Sequence, residues 1–210
     1  MSLDRNKVLQ VFNHSADRYL EKFGNLSAFS SILDQLLKQA PQNARILDLA
    51  CGPGNLARYL LDQRRDLQLL GIDFAPEMIE LAKKNVPEAA FECRNVLEYE
   101  MTTSEWSVIL ISFLLPYLKP EEAIELLDKV QRQLSQKGLL FISTMIHEQS
   151  AWIEQVSSEN PDRKLNSYYY SKAELLDILK QSGFSLLEEL QVDNPEISWP
   201  KDIYLLLEKV

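Results

Sequence analysis

Between residues 3 and 39 the apolar positions recur at helical spacing. Leu26, Phe29, Ile32, Leu33, Leu36 and Leu37 fall on one helix face, and Pro41 ends the pattern. Gly24 and Asn25 divide this helix from an earlier one over residues 4–21. From Arg45 the texture changes. Short apolar runs occur at 45–49, 67–72, 89–93, 107–112 and 138–144, with helical patterns between most of them. The clearest is EEAIELLDKVQRQL, where Ala123, Leu127, Val130 and Leu134 share a face. Strands alternating with helices predict crossover connections and a parallel sheet covered on both faces. The end of the chain differs. Ser171 with Glu174 three residues on is a capping box, and Gly183 stops the helix it opens. Strand-like runs follow at 184–191 and 202–209, joined by a stretch rich in turn formers and too short for an easy helical crossover, so these two strands are expected to be antiparallel neighbours. No repeat or linker interrupts residues 1–210, which are expected to form a single domain.

Charge narrows the partners. The 210 residues carry a net charge of −9, with no basic run longer than Lys83-Lys84 or Arg64-Arg65, which disfavours a nucleic-acid partner. Cys51 and Cys93 form no CxxC pair, so neither a disulfide framework nor a metal site is expected. The N-terminus is charged where a signal peptide needs an apolar core, and no apolar run approaches the ~20 residues of a membrane span. A cytoplasmic protein without a membrane partner is the expectation, as a monomer or homodimer.

The chemistry concentrates at RILDLACGPGNLARYL, residues 45–60. Gly52-Pro53-Gly54-Asn55-Leu56-Ala57 fits G-x-G-x-x-G/A, where glycine lets a ligand pass close to the backbone and the following helix offers free N–H groups. Asp73 ends the next strand, twenty-one positions after Gly52, placed to accept hydrogen bonds from a ribose diol. This context points to an adenosine-type ligand. An NAD site expects a strand running straight into the first glycine. Here Asp48 precedes Gly52 by four residues, and a carboxylate there favours a cationic ligand part over a diphosphate.

ILDLACGPGN resembles the first motif of the class I S-adenosylmethionine-dependent methyltransferases, roughly D-x-x-C-G-x-G. LLGIDFAPEMIELAKKN resembles their second motif, AAFECRNVLEYE the third and WSVILISFLLPYL the fourth, while LLDKVQRQLSQKGLLFIST resembles the helix, turn and strand that complete the core. The resemblance covers residues 45–145. It implies an α/β fold: a Rossmann-like three-layer sandwich with a seven-stranded, mostly parallel sheet and an antiparallel C-terminal strand pair. It implies S-adenosyl-L-methionine as cofactor. It places Asp48 near the methionyl end, Ala50, Gly52 and Gly54 at the turn the cofactor approaches, and Asp73 on the ribose. Phe74, Met78, Asn95 and Val96 lie around the adenine, and Ser112 and Phe113 end the strand beneath the cofactor. Asn95 stands where much of the family has aspartate, and Ala75 where a helix-capping serine is common.

Methyl transfer from a sulfonium is an in-line displacement, so the protein chiefly aligns a nucleophile and excludes water, with a base where the acceptor carries a proton. No motif fixes that base. His14, His147, Tyr168 and Tyr169 are the candidates, with Arg18 and Tyr19 placed to cover the cofactor; Cys51 has no local histidine to activate it. Residues 1–40 read as a helical cap, 45–145 as the cofactor core, 146–171 as the acceptor side, and 172–210 as the final helix and strand pair. Ser112-Phe113-Leu114-Leu115 lacks the Asn-Pro-Pro-Tyr type motif of family members that methylate base or glutamine amines. A small-molecule methyl acceptor, at O, N or C, is expected. Two other readings stand: a nucleoside-binding regulatory module, and an NAD-dependent oxidoreductase, although no Tyr-x-x-x-Lys dyad sits at the end of a suitable strand or helix.

Overall fold

A computed structural model describes residues 3–100, 106–156, 164–193 and 200–210. Its strands are β1 (Arg45–Leu49), β2 (Gln68–Asp73), β3 (Ala90–Cys93), β4 (Trp106–Ser112), β5 (Leu134–His147), β6 (Ala151–Val156), β7 (Lys164–Ser171), β8 (Phe184–Val192) and β9 (Lys201–Lys209). The helices are α1 (Arg5–Phe23), α2 (Ser30–Gln39), α3 (Asn55–Gln63), α4 (Pro76–Asn85), α5 (Pro120–Gln133) and α6 (Lys172–Gln181). A parallel block runs in the spatial order β3-β2-β1-β4-β5. β9 pairs antiparallel with β5, and β8 antiparallel with β9, as the short connection between the last two runs requires. Residues 194–199 of that connection lie outside the described residues.

Alternation along each strand sorts the core into two layers. Ile46, Val108, Leu110, Phe141 and Leu206 face α2 and α3. Leu47, Leu49, Ile109, Ile111, Ile142 and Leu205 face α5 and α6. Helix α1 belongs to neither layer. Its Ala16 packs with Ala75 and Met78 at the start of α4, with Phe12 and Tyr19 against them, so it lies across the strand ends. An ion pair from Arg5 to Glu122 ties its first turn to α5.

The hairpin of β6 and β7 was not foreseen from the apolar pattern. β5 outruns its neighbour: the last β4 partner is Ser112 with Ser143, while β5 continues to His147. β7 takes the edge left open, pairing Tyr170 with Ile146 and Ser171 with His147. The described sheet therefore has nine strands, the expected seven plus this hairpin. Ser171 then caps α6, accepting from the Glu174 N–H, and Gly183 beyond its end has φ +84°.

Phe91 of β3 links the sheet to the glycine turn. A Cβ on Gly71 of β2 would come within 2.7 Å of its ring and 2.9 Å of Cys51 Cβ. A Cβ on Gly54 would meet the same ring at 3.4 Å and Val86 at 3.2 Å. Two glycines thus make room for one phenyl ring beneath the turn. Gly71→Ala is expected to destabilise the protein by about 1–3 kcal/mol through overpacking, read as a lower midpoint in urea unfolding.

Candidate active site

A cavity of about 380 Å³ opens at the C-terminal edge of the parallel strands, where open α/β sheets bind ligands. β1 delivers Asp48, and the turn after it Ala50, Cys51 and Gly52. From β2 and α4 come Asp73, Phe74 and Met78; Asn95 and Val96 follow β3, and Ser112 and Phe113 end β4. All of these line the cavity. Gly54 does not: it is the left-handed residue preceding α3, at φ +81°, and its open side faces Val86, Phe91 and α4. The second glycine therefore serves packing, a correction to the expectation that both glycines admit the ligand. A Cβ on Gly52 would instead lie 3.9 Å from the Tyr19 ring, inside the cavity's rim.

Asp48 is 0 % exposed, and neither carboxylate oxygen has a hydrogen-bond partner. Its strand neighbours in register are Gly71 and Leu110, which offer it no side-chain donor. Burial, and after it the nearby Asp73 charge, push its carboxyl up to about 8. Asp73 is buried but satisfied. Its Oδ2 accepts the Gly52 N–H at 3.0 Å and its Oδ1 the Ala75 N–H at 2.9 Å. It thereby pins the glycine turn to the start of α4, where Ala75 has no capping side chain of its own. Burial raises its pKa, against those backbone hydrogen bonds. A carboxylate has about four acceptor sites, so Asp73 retains capacity for a diol.

Ala50 at φ +65° and Phe113 at φ +50° are non-glycine residues held in the left-handed region, and both line the cavity. Such strain costs on the order of 1–3 kcal/mol per residue and persists where the surroundings over-determine the backbone. At Phe113 an N–H bond of 2.7 Å to the Ser143 carbonyl does so. Asn95 holds its own turn: its side-chain oxygen accepts from Leu97 N–H at 3.1 Å, and its amide donates to Glu98 at 2.8 Å.

The expected catalytic side chains lie elsewhere. His14 is exposed on α1, its Nδ1 2.7 Å from the Gln10 carbonyl. His147 ends β5 outside the lining. Tyr168 stacks edge-on with Trp152 and Tyr170 in the hairpin. Tyr169 is buried behind the cavity, its hydroxyl 3.8 Å from the sulfur of Met145, which does line it. No described residue of 146–171 lines the cavity, because the hairpin spends its aromatic faces on itself and on β5; residues 157–163 lie outside the described set. The N-terminal segment supplies Arg5, Phe12, Tyr19 and Phe29 to the lining, and Arg18 is not part of it; residues 1–2 are not described. Tyr168 and Lys172 have the Tyr-x-x-x-Lys spacing, yet they split between β7 and α6, and Lys172 pairs with Glu189.

Sequence reasoning missed Tyr117, Met145, Asp202 and Tyr204, which line the far end. Their signal was weak, since Asp202 and Tyr204 read only as alternating positions of a last strand. Tyr117 is pushed up to about 12 by burial. Tyr19 shifts the same way, chiefly by burial, then through Tyr117, Asp73, Asp202 and Asp48. Among the described residues there is no cluster of metal-ligating side chains and no helix long and apolar enough to cross a membrane.

A family model described as a methyltransferase domain matches residues 46–138. Carboxy-S-adenosyl-L-methionine synthase of Campylobacter lari is 28% identical over 87% of this chain and 86% of its own length. The enzyme of that name from Helicobacter pylori is 28% identical over 78% of this chain and 67% of its own. Among solved structures, 1,6-didemethyltoxoflavin-N1-methyltransferase of Burkholderia thailandensis superposes with a TM-score of 0.75 at 18% identity, over 98% of this chain and 88% of its own. A DhpI–S-adenosylhomocysteine complex gives 0.74 at 17%, over 97% and 96%. At these identities the superpositions speak for the fold.

The buried Asp48 carries a pH signature. A carboxyl near pKa 8 when folded, against 3.8 for the free group, keeps its proton on folding. Ionisation of the unfolded chain then lowers stability as pH rises from about 4 to about 8. Asp48→Asn removes this contribution. The variant is expected to be more stable at pH 8 by on the order of a few kcal/mol, with the gap closing towards pH 4, read from urea unfolding across that range. Equal stability differences at both ends would show that Asp48 is not held protonated.

Proposed function

We propose, from the premise that this chain is an enzyme of the class I S-adenosylmethionine-dependent methyltransferase family, that it transfers methyl to a small-molecule acceptor. The observation that carries this reading is the unpartnered Asp48 carboxylate, sealed at the base of a cavity beside a ribose-ready Asp73. S-adenosylmethionine, when bound, supplies an activated methyl on a sulfonium. It also carries an ammonium and a ribose diol, the two groups these carboxylates lack. In this reading Asp48 faces the cationic methionyl end, Asp73 accepts from the ribose hydroxyls, and Phe74, Met78 and Val96 flank the adenine. Tyr19 and Phe12, carried by α1, close the opening and keep water from the reacting atoms.

The relatives' name favours a second reading, that the nucleoside itself is the substrate and leaves carboxylated. An added carboxylate calls for a cation near the sulfonium. Among the described lining residues the one cationic side chain is Arg5, already paired with Glu122. Asp73 and Asp202 give the cavity the opposite charge. The site thus suits a neutral methyl better than an anionic one-carbon group. A small acceptor fits the cavity, whose 380 Å³ is of the size of small-molecule sites.

Two measurements test this. Calorimetric titration with S-adenosylhomocysteine is expected to show binding, with net proton release near neutral pH because Asp48 must ionise to meet the ligand ammonium. The heat should therefore change between buffers of different ionisation enthalpy. Asp48→Asn should abolish the release, and Asp73→Ala should weaken binding by at least about tenfold, the worth of a hydrogen bond to a charged group. Mass spectrometry of nucleosides after turnover separates the two readings: S-adenosylhomocysteine for methyl transfer, or, for the second, a product heavier than the cofactor by the mass of carbon dioxide, a carboxyl group in place of one hydrogen.

A further inference from the structure

We propose that the far end of the cavity takes a small primary amine as methyl acceptor, held as a cation by Asp202 between the rings of Tyr117 and Tyr204. This rests on the methyl-transfer reading above and names the acceptor that reading leaves open. β9 starts at the C-terminal edge of the parallel strands because it runs antiparallel to β5, which puts Asp202 in register with Met145 on one side and Val192 on the other. All three line the cavity. β9 lies three strand spacings from β1, about 14 Å across the sheet, so Asp202 marks a part of the cavity separate from Asp48 and Asp73.

Beside the aliphatic Met145 and Val192, the groups near Asp202 include several aromatic rings. Tyr204, two residues on and on the same face of β9, is near enough to act on the Asp202 carboxyl. The Tyr204 ring stacks on Phe29 with centroids 4.2 Å apart, with Phe113 edge-on at 6.2 Å. Tyr117 faces the same space, braced edge-on by Phe12 at 5.2 Å. Tyr19 and Tyr169 also feel the Asp202 charge. Lys201, next in the chain, turns to the other face of β9 and pairs with Asp193 at 2.9 Å. A carboxylate in a cavity lined also by Tyr117 and Tyr204 fits an ammonium, which can gain a charge-assisted hydrogen bond and cation–π contact. An anionic acceptor would meet the like charge of Asp202, and an alcohol would leave that charge uncompensated.

The same carboxylate can serve as base. A primary ammonium has no lone pair, so one N–H proton passes to Asp202. The freed nitrogen pair then forms the N–C bond as the S–C bond breaks, its electron pair going to sulfur. The products are a methylammonium, S-adenosylhomocysteine and a protonated Asp202, which is half-buried and can return its proton to water. Burial raises the pKa of Asp202, in the direction that helps it accept.

The test uses the full chain saturated with S-adenosylhomocysteine, titrated with three matched probes: phenethylamine, 2-phenylethanol and 3-phenylpropionate. The amine is expected to bind at least about tenfold more tightly than the alcohol, and the acid more weakly than both. Asp202→Asn should erase the preference for the amine while S-adenosylhomocysteine affinity stays within about threefold. Alcohol or acid binding as tightly as the amine, no binding of the amine, or a preference that survives Asp202→Asn overturns the proposal. The comparison of probes on the unaltered chain decides it even where the variant does not fold. Failure of the unaltered chain to bind S-adenosylhomocysteine would instead overturn the methyl-transfer reading.

Discussion

An unpaired carboxylate at the centre of a parallel sheet constrains everything around it. Asp48 sits on the middle strand of the β2-β1-β4 trio, fully enclosed. Burial of a bare charge is too costly to persist, so the group holds its proton until a cation arrives. Such a residue works against stability in the empty protein and for affinity in the loaded one. The neighbouring Asp73 shows the contrast: equally buried, it is stabilised by two backbone N–H groups and ties the turn to α4. One carboxylate is engaged in holding the turn, and the other has no hydrogen-bond partner.

The turn between them depends on packing below as much as on ligand above. Phe91 fills the hollow left by Gly71 and Gly54, and the glycine pattern is partly the imprint of that ring. Only Gly52 looks towards the cavity. Ala50 and Phe113 bear strained backbone at the ends of adjacent strands β1 and β4, held by the sheet and by the Phe113–Ser143 bond. Strain at both strand ends turns the chain sharply and leaves the space that becomes the cavity.

Above that floor lies α1, anchored on α4 through Ala16, Ala75 and Met78 and on α5 through Arg5. Its aromatic residues supply the roof, while β9 supplies the far wall. The two ends differ in character, with backbone amides and carboxylates near β1 and β2, and rings around a carboxylate near β9. That asymmetry gives one cavity two chemically different ends.

Local sequence determined a great deal here. Apolar runs and helical spacing announced the parallel core, though not the spatial order of its strands, and the short final connection announced the antiparallel pair, because both follow from periodicity and chain length. Asp48, Gly52 and Asp73 were legible because a turn between strand and helix imposes its residues locally. The hairpin of β6 and β7 was not, since it exists only because β5 outruns β4 and leaves an edge to pair. Nor was the role of Gly54, which depends on a ring thirty-seven residues away. The histidines and the tyrosine run looked chemical in one dimension, yet the fold turned them to the surface or into packing. Tyr117, Asp202 and Tyr204 looked ordinary, and the antiparallel return of β9 brought them to the site. Periodicity and turn chemistry are written in neighbouring residues, whereas the far wall of a cavity is assembled from strands distant in sequence, and only tertiary structure decides which side chains meet there.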